Sequence, residues 1–251
     1  MSPITNGATI TVVSTGESYH TLTDWGLAIG NNNCIGTPGQ ETFYLDVPGS
    51  DRVLDYSEAL TGHPVFKQRQ IEIVLGGKLD RLSWTSFISQ IRILIHGRVV
   101  RVVFDDFPGY YWEGRAEVTD FDRTRELGTF VIRIPKADPY GYSLNDNSDE
   151  NWLWDPFDFE LGVIDDPINL NLTADASAAS CTISHGAVPF VANIHVESID
   201  DEGLTMTVDG DDYVLKQGEN QLAALLVADR DLTLNFSGRG ELNVVFRRRV
   251  L

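Results

Sequence analysis

Residues 96–140 alternate between apolar and polar side chains with a period of two, as antiparallel strands do. Asp-Asp-x-Pro-Gly at 105–109 predicts a turn, because Pro108 fixes φ and the following glycine tolerates a positive φ. A second polar stretch at 120–128 predicts another turn. The segment is therefore predicted to be a three-stranded antiparallel meander with strands at 99–104, 110–118 and 129–134.

A single segment has the 3.6-residue period of an amphipathic α-helix instead. Its apolar positions fall at i, i+3, i+4, i+7 and i+11 and are Trp84, Phe87, Ile88, Ile91 and Ile95. Asp80 or Ser83 can cap the N-terminus, and Gly97 suits the left-handed position beyond the C-terminus. Ile93 and Leu94 broaden the stripe, which predicts a helix that covers the sheet and is buried on more than one side.

Short apolar runs between turn-forming residues predict further strands at both ends of the chain. Residues 1–30 predict two strands, one around Ile10 and Val12 and one containing Trp25 and Leu27. A turn-rich loop at 31–40 precedes further short strands, which are predicted at 69–75, 190–196, 204–208, 213–215, 231–236 and 241–246. Tight turns at 209–212 and 237–240 join the later strands into hairpins, so the last third is predicted to be a small antiparallel β-sandwich.

The run GYSLNDNSDEN at 141–151 concentrates side chains that are solvated rather than packed. It predicts a boundary between two domains, 1–145 and 146–251. Charge changes at the same place. Residues 1–145 carry 13 basic and 17 acidic residues, a net charge of −4, whereas 146–251 carry 6 basic and 20 acidic residues, a net charge of −14. This balance argues against a basic face for nucleic-acid phosphates.

The sequence predicts neither catalysis nor a bound cofactor or metal. It contains no nucleophile, phosphate-loop, dinucleotide or zinc motif, and the DGDD turn lacks the other ligands of a calcium loop. Cys34 and Cys181 have no framework spacing, so two unpaired thiols are favoured over a disulfide. No apolar run is long enough to span a membrane and no signal peptide opens the chain, so synthesis and folding in a cytoplasm are expected.

Two clusters could bind partners. Trp152, Trp154 and Phe157 lie among carboxylates, which is compatible with a glycan platform or with aromatic residues that fill an interdomain seam or the core of the sandwich. Arg247, Arg248 and Arg249 could dock an acidic partner surface or could discourage edge-to-edge aggregation at the end of a strand. A solvated terminus explains the arginines equally well.

Several short motifs occur in a characteristic order. Segment 47–77, VPGSDRVLDYSEALTGHPVFKQRQIEIVLGG, has a VPG turn, a following Asp, and Phe-x-x-Arg entering a strand; an Asp-Asp-x-Pro-Gly-Tyr-Tyr run follows at 105–111. Over residues 20–140 this order resembles the N-terminal domain of the distal tail protein family, the baseplate hub of long-tailed bacteriophages. The final LNFSGRGELNVVFRRRVL looks like the galectin-like C-terminal domain found in many of these proteins.

This resemblance implies a mainly β fold, with an N-terminal antiparallel β-sandwich or barrel-like domain, one covering helix, and a C-terminal galectin-like β-sandwich. It implies a structural virion protein whose hexameric ring joins the tail tube to tail-tip proteins, including the tail-associated lysin hub, and to receptor-binding proteins. The N-terminal domains would line a channel for the genome, at the distal end of a tail assembled in the bacterial cytoplasm. A carbohydrate-binding module is the alternative function, and only the acidic residues would suit a glycan hydrolase.

Overall fold

The computed structural model describes residues 6–30, 34–80, 82–148, 165–174 and 176–251. In this part of the chain the fold is mainly β with one α-helix, as predicted. The chain divides into two compact units, 1–141 with Leu251 and 142–250.

The described residues of the first unit form ten strands and the helix. The strands are β1 (Ala8–Val12), β2 (Ser18–His20), β3 (Ala28–Ile29), β4 (Tyr44–Asp46), β5 (Val53–Asp55), β6 (Arg69–Lys78), β7 (Val99–Phe104), β8 (Tyr110–Arg115), β9 (Glu117–Thr124) and β10 (Leu127–Ala137). One sheet has the antiparallel order β8-β7-β1-β2, and a second has the order β3-β6-β10-β9. Strands β4 and β5 form a separate two-stranded hairpin.

Alternation along the central strands builds the core of this unit. In β1 the side chains of Ala8, Ile10 and Val12 are fully buried while the residues between them are partly exposed. Strand β6 repeats the pattern with Ile71 and Ile73. Burial of a side chain of this size contributes about 1.5–3 kcal/mol, so the period-two pattern fixes which face of each strand points inward.

Helix α1 (Ser83–Ile95) buries Trp84, Ile88, Ile91 and Ile95 of the predicted stripe. The predicted broader burial is right only in part, because Leu94 is partly buried but Ile93 is 70% exposed. Two residues after Ile91, its side chain points about 200° around the helix from the buried stripe. The helix covers the β9–β10 turn, where the Trp84 indole N–H donates to the Glu126 carbonyl at 2.9 Å.

The prediction was wrong for the N-terminal cap of α1 and right for its C-terminal cap. The N-cap residue is Leu82, so neither Asp80 nor Ser83 caps the helix with its side chain. Instead, the Asp80 carboxylate accepts a hydrogen bond from the Leu82 N–H at 3.2 Å. Gly97 adopts φ 76° just beyond the C-terminus, as predicted.

The predicted meander is wrong in one respect, because its strands belong to two sheets. Strand β8 stays with β7, whereas β9 pairs with β10 in the second sheet. The change of sheet occurs at the buried Ala116, whose N–H donates to the Arg98 carbonyl and whose carbonyl accepts from the Gly97 N–H. A side chain at Gly114 would overlap Ile134, so only a glycine lets the strands cross this closely.

The second predicted turn is also shorter than expected. Strand β9 continues to Thr124, and only Arg125 and Glu126 separate it from β10. Because β9 lies at the edge of its sheet, much of its outward surface is polar and its sequence has the composition of a loop. Asp120 and Arg125 have positive φ values of 51° and 56°, which accommodate the register shift and the tight turn.

The second unit begins within β11 (Gly141–Ser143) and contains the remaining strands. These are β12 (Ile168–Leu172), β13 (Ala178–Ile183), β14 (Phe190–Val208), β15 (Asp211–Val214), β16 (Gly218–Asn220), β17 (Leu226–Val227), β18 (Leu232–Phe246) and β19 (Arg249–Val250), with a short 3₁₀ helix at Ala223–Leu225. Strand β18 pairs with β12, β13 and β14, and β14 also pairs with β15, β16 and β17.

The predicted pairs of short strands at 190–208 and 231–246 are each one long strand. Their pairing is interrupted by two register shifts, one between Val196 and Ser198 and one between Ile199 and Leu204, next to Gly240 and Gly238. Gly238 has φ 114°, and a side chain there would overlap the Gly203 carbonyl. These glycines predicted a hairpin turn but instead bend a continuous strand. The apolar core of the unit includes Phe190, Leu234 and Phe236.

Candidate interaction surfaces

The hairpin of β4 and β5 is the most apolar exposed element in the described part of the first unit. Tyr44 pairs with Asp55, Leu45 with Leu54, and Asp46 with Val53. All six strand residues are exposed. The large exposed apolar side chains of the hairpin and its flanks are Phe43, Tyr44, Leu45, Val47, Val53, Leu54, Tyr56 and Leu60. Patches of this kind on a soluble protein mark interaction sites.

The tip of the hairpin is the VPG turn predicted from sequence. The Ser50 N–H donates to the Val47 carbonyl at 3.1 Å, and Gly49 has φ 81°. The Ser50 hydroxyl accepts from the Arg52 N–H at 3.1 Å, which holds the return strand. The turn was therefore predicted, but the two strands beside it were missed.

The base of the hairpin is fixed by a local network around Ser57. Its hydroxyl accepts from the Phe43 N–H at 2.9 Å and donates to the Asp55 carboxylate at 2.5 Å. The Ser57 N–H donates to the same carboxylate at 2.9 Å. The two hydrogen bonds from Ser57 lower the pKa of Asp55 below its ordinary value. The hairpin is therefore anchored by polar bonds while its apolar side chains stay in solvent.

Backbone bonds also join the two chain segments that lead into and out of the hairpin. The Glu41 N–H donates to the Val65 carbonyl at 2.8 Å, the Lys67 N–H donates to the Gly39 carbonyl at 2.7 Å, and Gln40 bridges to Phe66. We call residues 39–67 the arm. A two-stranded hairpin alone is marginally stable in water, so the apolar tip of the arm favours a covering surface.

The three C-terminal arginines all contact other residues of the second unit. Arg247 donates to the Ser143 carbonyl at 2.6 Å, to the Leu144 carbonyl, and to the Asp146 carboxylate at 3.1 Å. The guanidinium of Arg249 lies 5.0 Å from the centre of the Tyr142 ring. Partner docking by these arginines remains a prediction, and any partner would meet side chains that already have intramolecular roles.

Arg248 is the most enclosed of the three. Its Nε and Nη2 donate to the two carboxylate oxygens of Asp165 at 2.8 and 2.7 Å, and both side chains are largely buried, at 11% and 17% exposure. The guanidinium also lies 4.8 Å from the centre of the Phe190 ring. A bidentate ion pair over an aromatic ring is the geometry that arginine supplies and lysine does not.

Trp152, Trp154 and Phe157 lie outside the described residues, so their predicted role stays a prediction. Neither Cys34 nor Cys181 forms a disulfide. Burial raises the pKa of the Cys181 thiol to about 11, which makes it unreactive near neutral pH. Within the described ranges there is no group of three or more potential metal-binding side chains, and no helix is both long and apolar enough to cross a membrane.

The fold has a relative of known structure. No protein-family model matches the sequence, and no curated protein matches it. The chain is similar to the Dit protein of phage SPP1, with a TM-score of 0.58 and 16% sequence identity over 97% of this chain and 99% of that one. The crystal structure of SPP1 Dit is presented as a paradigm of the hub adsorption apparatus in phages that infect Gram-positive bacteria. The chain therefore has a Dit-like fold.

Proposed function

We propose that this chain is a structural virion protein, the subunit of a hub at the distal end of a phage tail. The observation that carries the proposal is the Dit-like fold, which extends over nearly the whole of both chains rather than over one module. The motif order in segments 47–77 and 105–111 supports the same assignment. The first line of support compares backbones and the second compares residues.

In this proposal the hub is a ring of six copies and the arm makes the contact between neighbours. A closed ring needs two different surfaces on each subunit, since each copy meets the next head to tail. The arm supplies one such surface, because its exposed apolar residues project from a hydrogen-bonded base. Assembly of a ring always brings copies of the same chain together, so we assign a second copy as the partner that covers the arm. Burial against it would remove Leu45, Leu54 and Leu60 from water.

The ring would join the tail tube on one side to tail-tip proteins, including the tail-associated lysin hub, and would hold receptor-binding proteins. The first unit, 1–141, would carry the ring contacts and surround the channel through which the genome passes. The acidic charge of residues 146–251 suits a surface that does not retain nucleic acid. Assembly in the cytoplasm of the bacterial host and the final location in the virion tail follow from this role.

Mass in solution tests the ring. Light scattering across a concentration series should give a species of six times the 27.9 kDa of one chain, or a rise toward that mass with concentration. A variant carrying Leu45→Asp and Leu54→Asp places two charges on one cross-strand pair of the arm and should remain a monomer. Val214→Asp is the matched control, because Val214 is a 77% exposed strand residue of the second unit.

The outcomes separate the role of the arm from the ring itself. A six-membered ring that survives the arm variant contradicts the assignment of the contact to the arm. A wild-type protein that stays monomeric at high concentration contradicts spontaneous ring closure. Negative-stain microscopy of the wild type would then be made in the presence of purified tail tubes, where absence of bound protein overturns the hub assignment.

A further inference from the structure

The sequence contains a single Asn-Gly dipeptide, formed by Asn6 and Gly7. In such a pair the backbone nitrogen of the glycine can attack the side-chain amide of the asparagine, because glycine has no Cβ to obstruct the approach. The product is a five-membered succinimide, and its hydrolysis replaces the amide by a carboxylate. The surroundings of the dipeptide decide whether this reaction can proceed in the folded chain.

Asn6 connects the two sheets of the first unit. It lies just before β1, which belongs to one sheet, and it bonds to Ile29 of β3, which belongs to the other. The Ile29 N–H donates to the Asn6 carbonyl at 3.0 Å, and the Asn6 Nδ2 donates to the Ile29 carbonyl at 2.6 Å. Asn6 is exposed, so water reaches its side chain. A structural amide thus stands where it can be hydrolysed.

The backbone nitrogen of Gly7 is free to make the attack. Gly7 is buried, and its carbonyl accepts from the Asp105 N–H at 3.1 Å, which holds this part of the chain in place. Its own N–H donates to no group among the described residues. No hydrogen bond therefore has to break before this N–H loses its proton. The reaction is also intramolecular, so the two reacting groups are already close together.

A carboxylate lies against Gly7. A side-chain carbon at this glycine would be 2.9 Å from Asp105 Oδ2 and 2.8 Å from His20 Cε1. The Thr23 N–H donates to His20 Nδ1 at 3.2 Å, which leaves the proton of the neutral ring on Nε2. His20 Nε2 lies 3.0 Å from Asp105 Oδ1 and donates to it. The imidazole therefore holds a carboxylate, which can act as a general base, beside the reacting peptide.

We propose that Asn6 is a site of deamidation and that Asp105 is the general base of the reaction. The carboxylate accepts the Gly7 N–H proton while the Gly7 nitrogen forms a bond to Cγ of Asn6. The bond from Cγ to Nδ2 breaks, and Nδ2 takes up the proton and leaves as ammonia. Water then opens the succinimide at either carbonyl, which gives aspartate or isoaspartate. The net reaction consumes one water molecule and releases one molecule of ammonia.

Deamidation would remove a bond between the two sheets. A carboxylate has no N–H donor, so an oxygen would face the Ile29 carbonyl in place of Nδ2, and two acceptors would repel each other. Isoaspartate also lengthens the main chain by one carbon atom, which would displace the Asn6 carbonyl from the Ile29 N–H. The modified chain would therefore hold β3 less firmly beside the start of β1. The proposal does not depend on the hub assignment.

Incubation of the full chain in water labelled with heavy oxygen at neutral pH tests the reaction. Mass spectrometry of the digested protein should show that the peptide containing Asn6 gains the mass of deamidation together with one heavy oxygen atom. Fragmentation by electron transfer should identify isoaspartate in part of the product. Asn235 is the matched control in the same sample, because it is exposed but precedes Phe236, and its peptide should stay unchanged.

Two variants test the base and the structural consequence. Asp105→Asn removes the base with little change of shape, and it should slow the conversion of Asn6 about tenfold or more. Asn6→Asp imitates one product, and hydrogen exchange should show reduced protection of the Ile29 amide. Asn235→Asp adds the same charge at an exposed position of β18 and should leave the Ile29 amide as protected as in the wild type.

Each part of the proposal has a result that overturns it. A folded wild-type chain whose Asn6 peptide takes up no heavy oxygen excludes the deamidation site. Conversion of Asn6 at the wild-type rate in Asp105→Asn excludes the base. Full protection of the Ile29 amide in Asn6→Asp excludes the loss of contact between the sheets. Circular dichroism spectra that match the wild type exclude misfolding of the variants, and the labelling of the wild type needs no variant.

Discussion

Asn147 pairs with Phe246 through both its backbone and its side chain. Its N–H donates to the Phe246 carbonyl at 3.2 Å, and its Oδ1 accepts from the Phe246 N–H at 2.8 Å. The amide Nδ2 donates to the Val244 carbonyl at 2.9 Å, and Asn147 is only 3% exposed. One buried side chain thus completes the hydrogen bonding at the end of β18, on the edge of that strand opposite β14.

Replacement of this side chain should destabilise the second unit. Asn147→Ala leaves the Phe246 N–H and one acceptor site on the Val244 carbonyl without partners in a buried place, at about 1–3 kcal/mol. Urea unfolding should show a lower midpoint, and hydrogen exchange should show reduced protection of the Phe246 amide. Asn169→Ala, an exposed change on the same unit, should alter neither. Unchanged protection at Phe246 would contradict the role given to the side chain.

The Arg248–Asp165 pair should contribute far more than an exposed pair. Arg248→Met leaves the largely buried Asp165 carboxylate without its bidentate partner, and we expect a loss of about 2–4 kcal/mol after allowance for residual solvent. Arg230→Met breaks an ion pair with Asp209 in which both side chains are more than half exposed, and it should change the stability by less than about 1 kcal/mol. Equal urea midpoints for the two variants would argue against this ranking.

Gly238 should tolerate no side chain. Gly238→Ala combines a φ of 114° with overlap against the Gly203 carbonyl, and we expect a loss of at least about 3 kcal/mol or failure to fold. Gly210→Ala is the control, because Gly210 also has a positive φ but has open space around it. It should cost about 1–2 kcal/mol. Thermal unfolding of both variants distinguishes backbone strain alone from strain with overlap.

The Cys181 thiol should react slowly. With a pKa of about 11 against an ordinary 9.0, its thiolate fraction at pH 8 is on the order of 100-fold lower than that of an exposed thiol. In a Cys34→Ser background, labelling by a disulfide reagent should be slow in the folded protein and fast in urea. Because the pKa is raised by folding, stability should be constant below pH 9 and should fall as the pH rises toward 11. A labelling midpoint near pH 9 would contradict this prediction.

Periodicity predicted the elements in which one face is buried. The apolar repeat of Trp84, Ile88 and Ile91 identifies α1 from the sequence alone, because these residues form the buried face of the helix. The alternation in 99–104 identifies β7 for the same reason. By contrast, Ile93 is apolar yet exposed, because the helical period places its side chain away from the buried stripe.

Other features depend on contacts that are distant in sequence. The sheet change at Ala116 is set by the packing of Gly114 against Ile134, which no local pattern reveals. The hairpin of the arm was missed because both faces of its strands are exposed. Its strands therefore lack the alternation of apolar and polar residues that predicts a half-buried strand, as Tyr44 and Leu45 show. The pairing of β12 with β18 brings Asn171 and Glu241 together from 70 positions apart, and only strand register aligns them.

The position of β18 in the sequence determines when the second unit can complete its folding during synthesis. It pairs with β12, β13 and β14, all of which leave the ribosome before it. Until residue 246 has been synthesised, these three strands present unpaired edges and an unfilled apolar core. The second unit therefore completes its folding only at the end of synthesis of this segment. During that interval the strongly acidic charge of residues 146–251 opposes aggregation of the nascent chain.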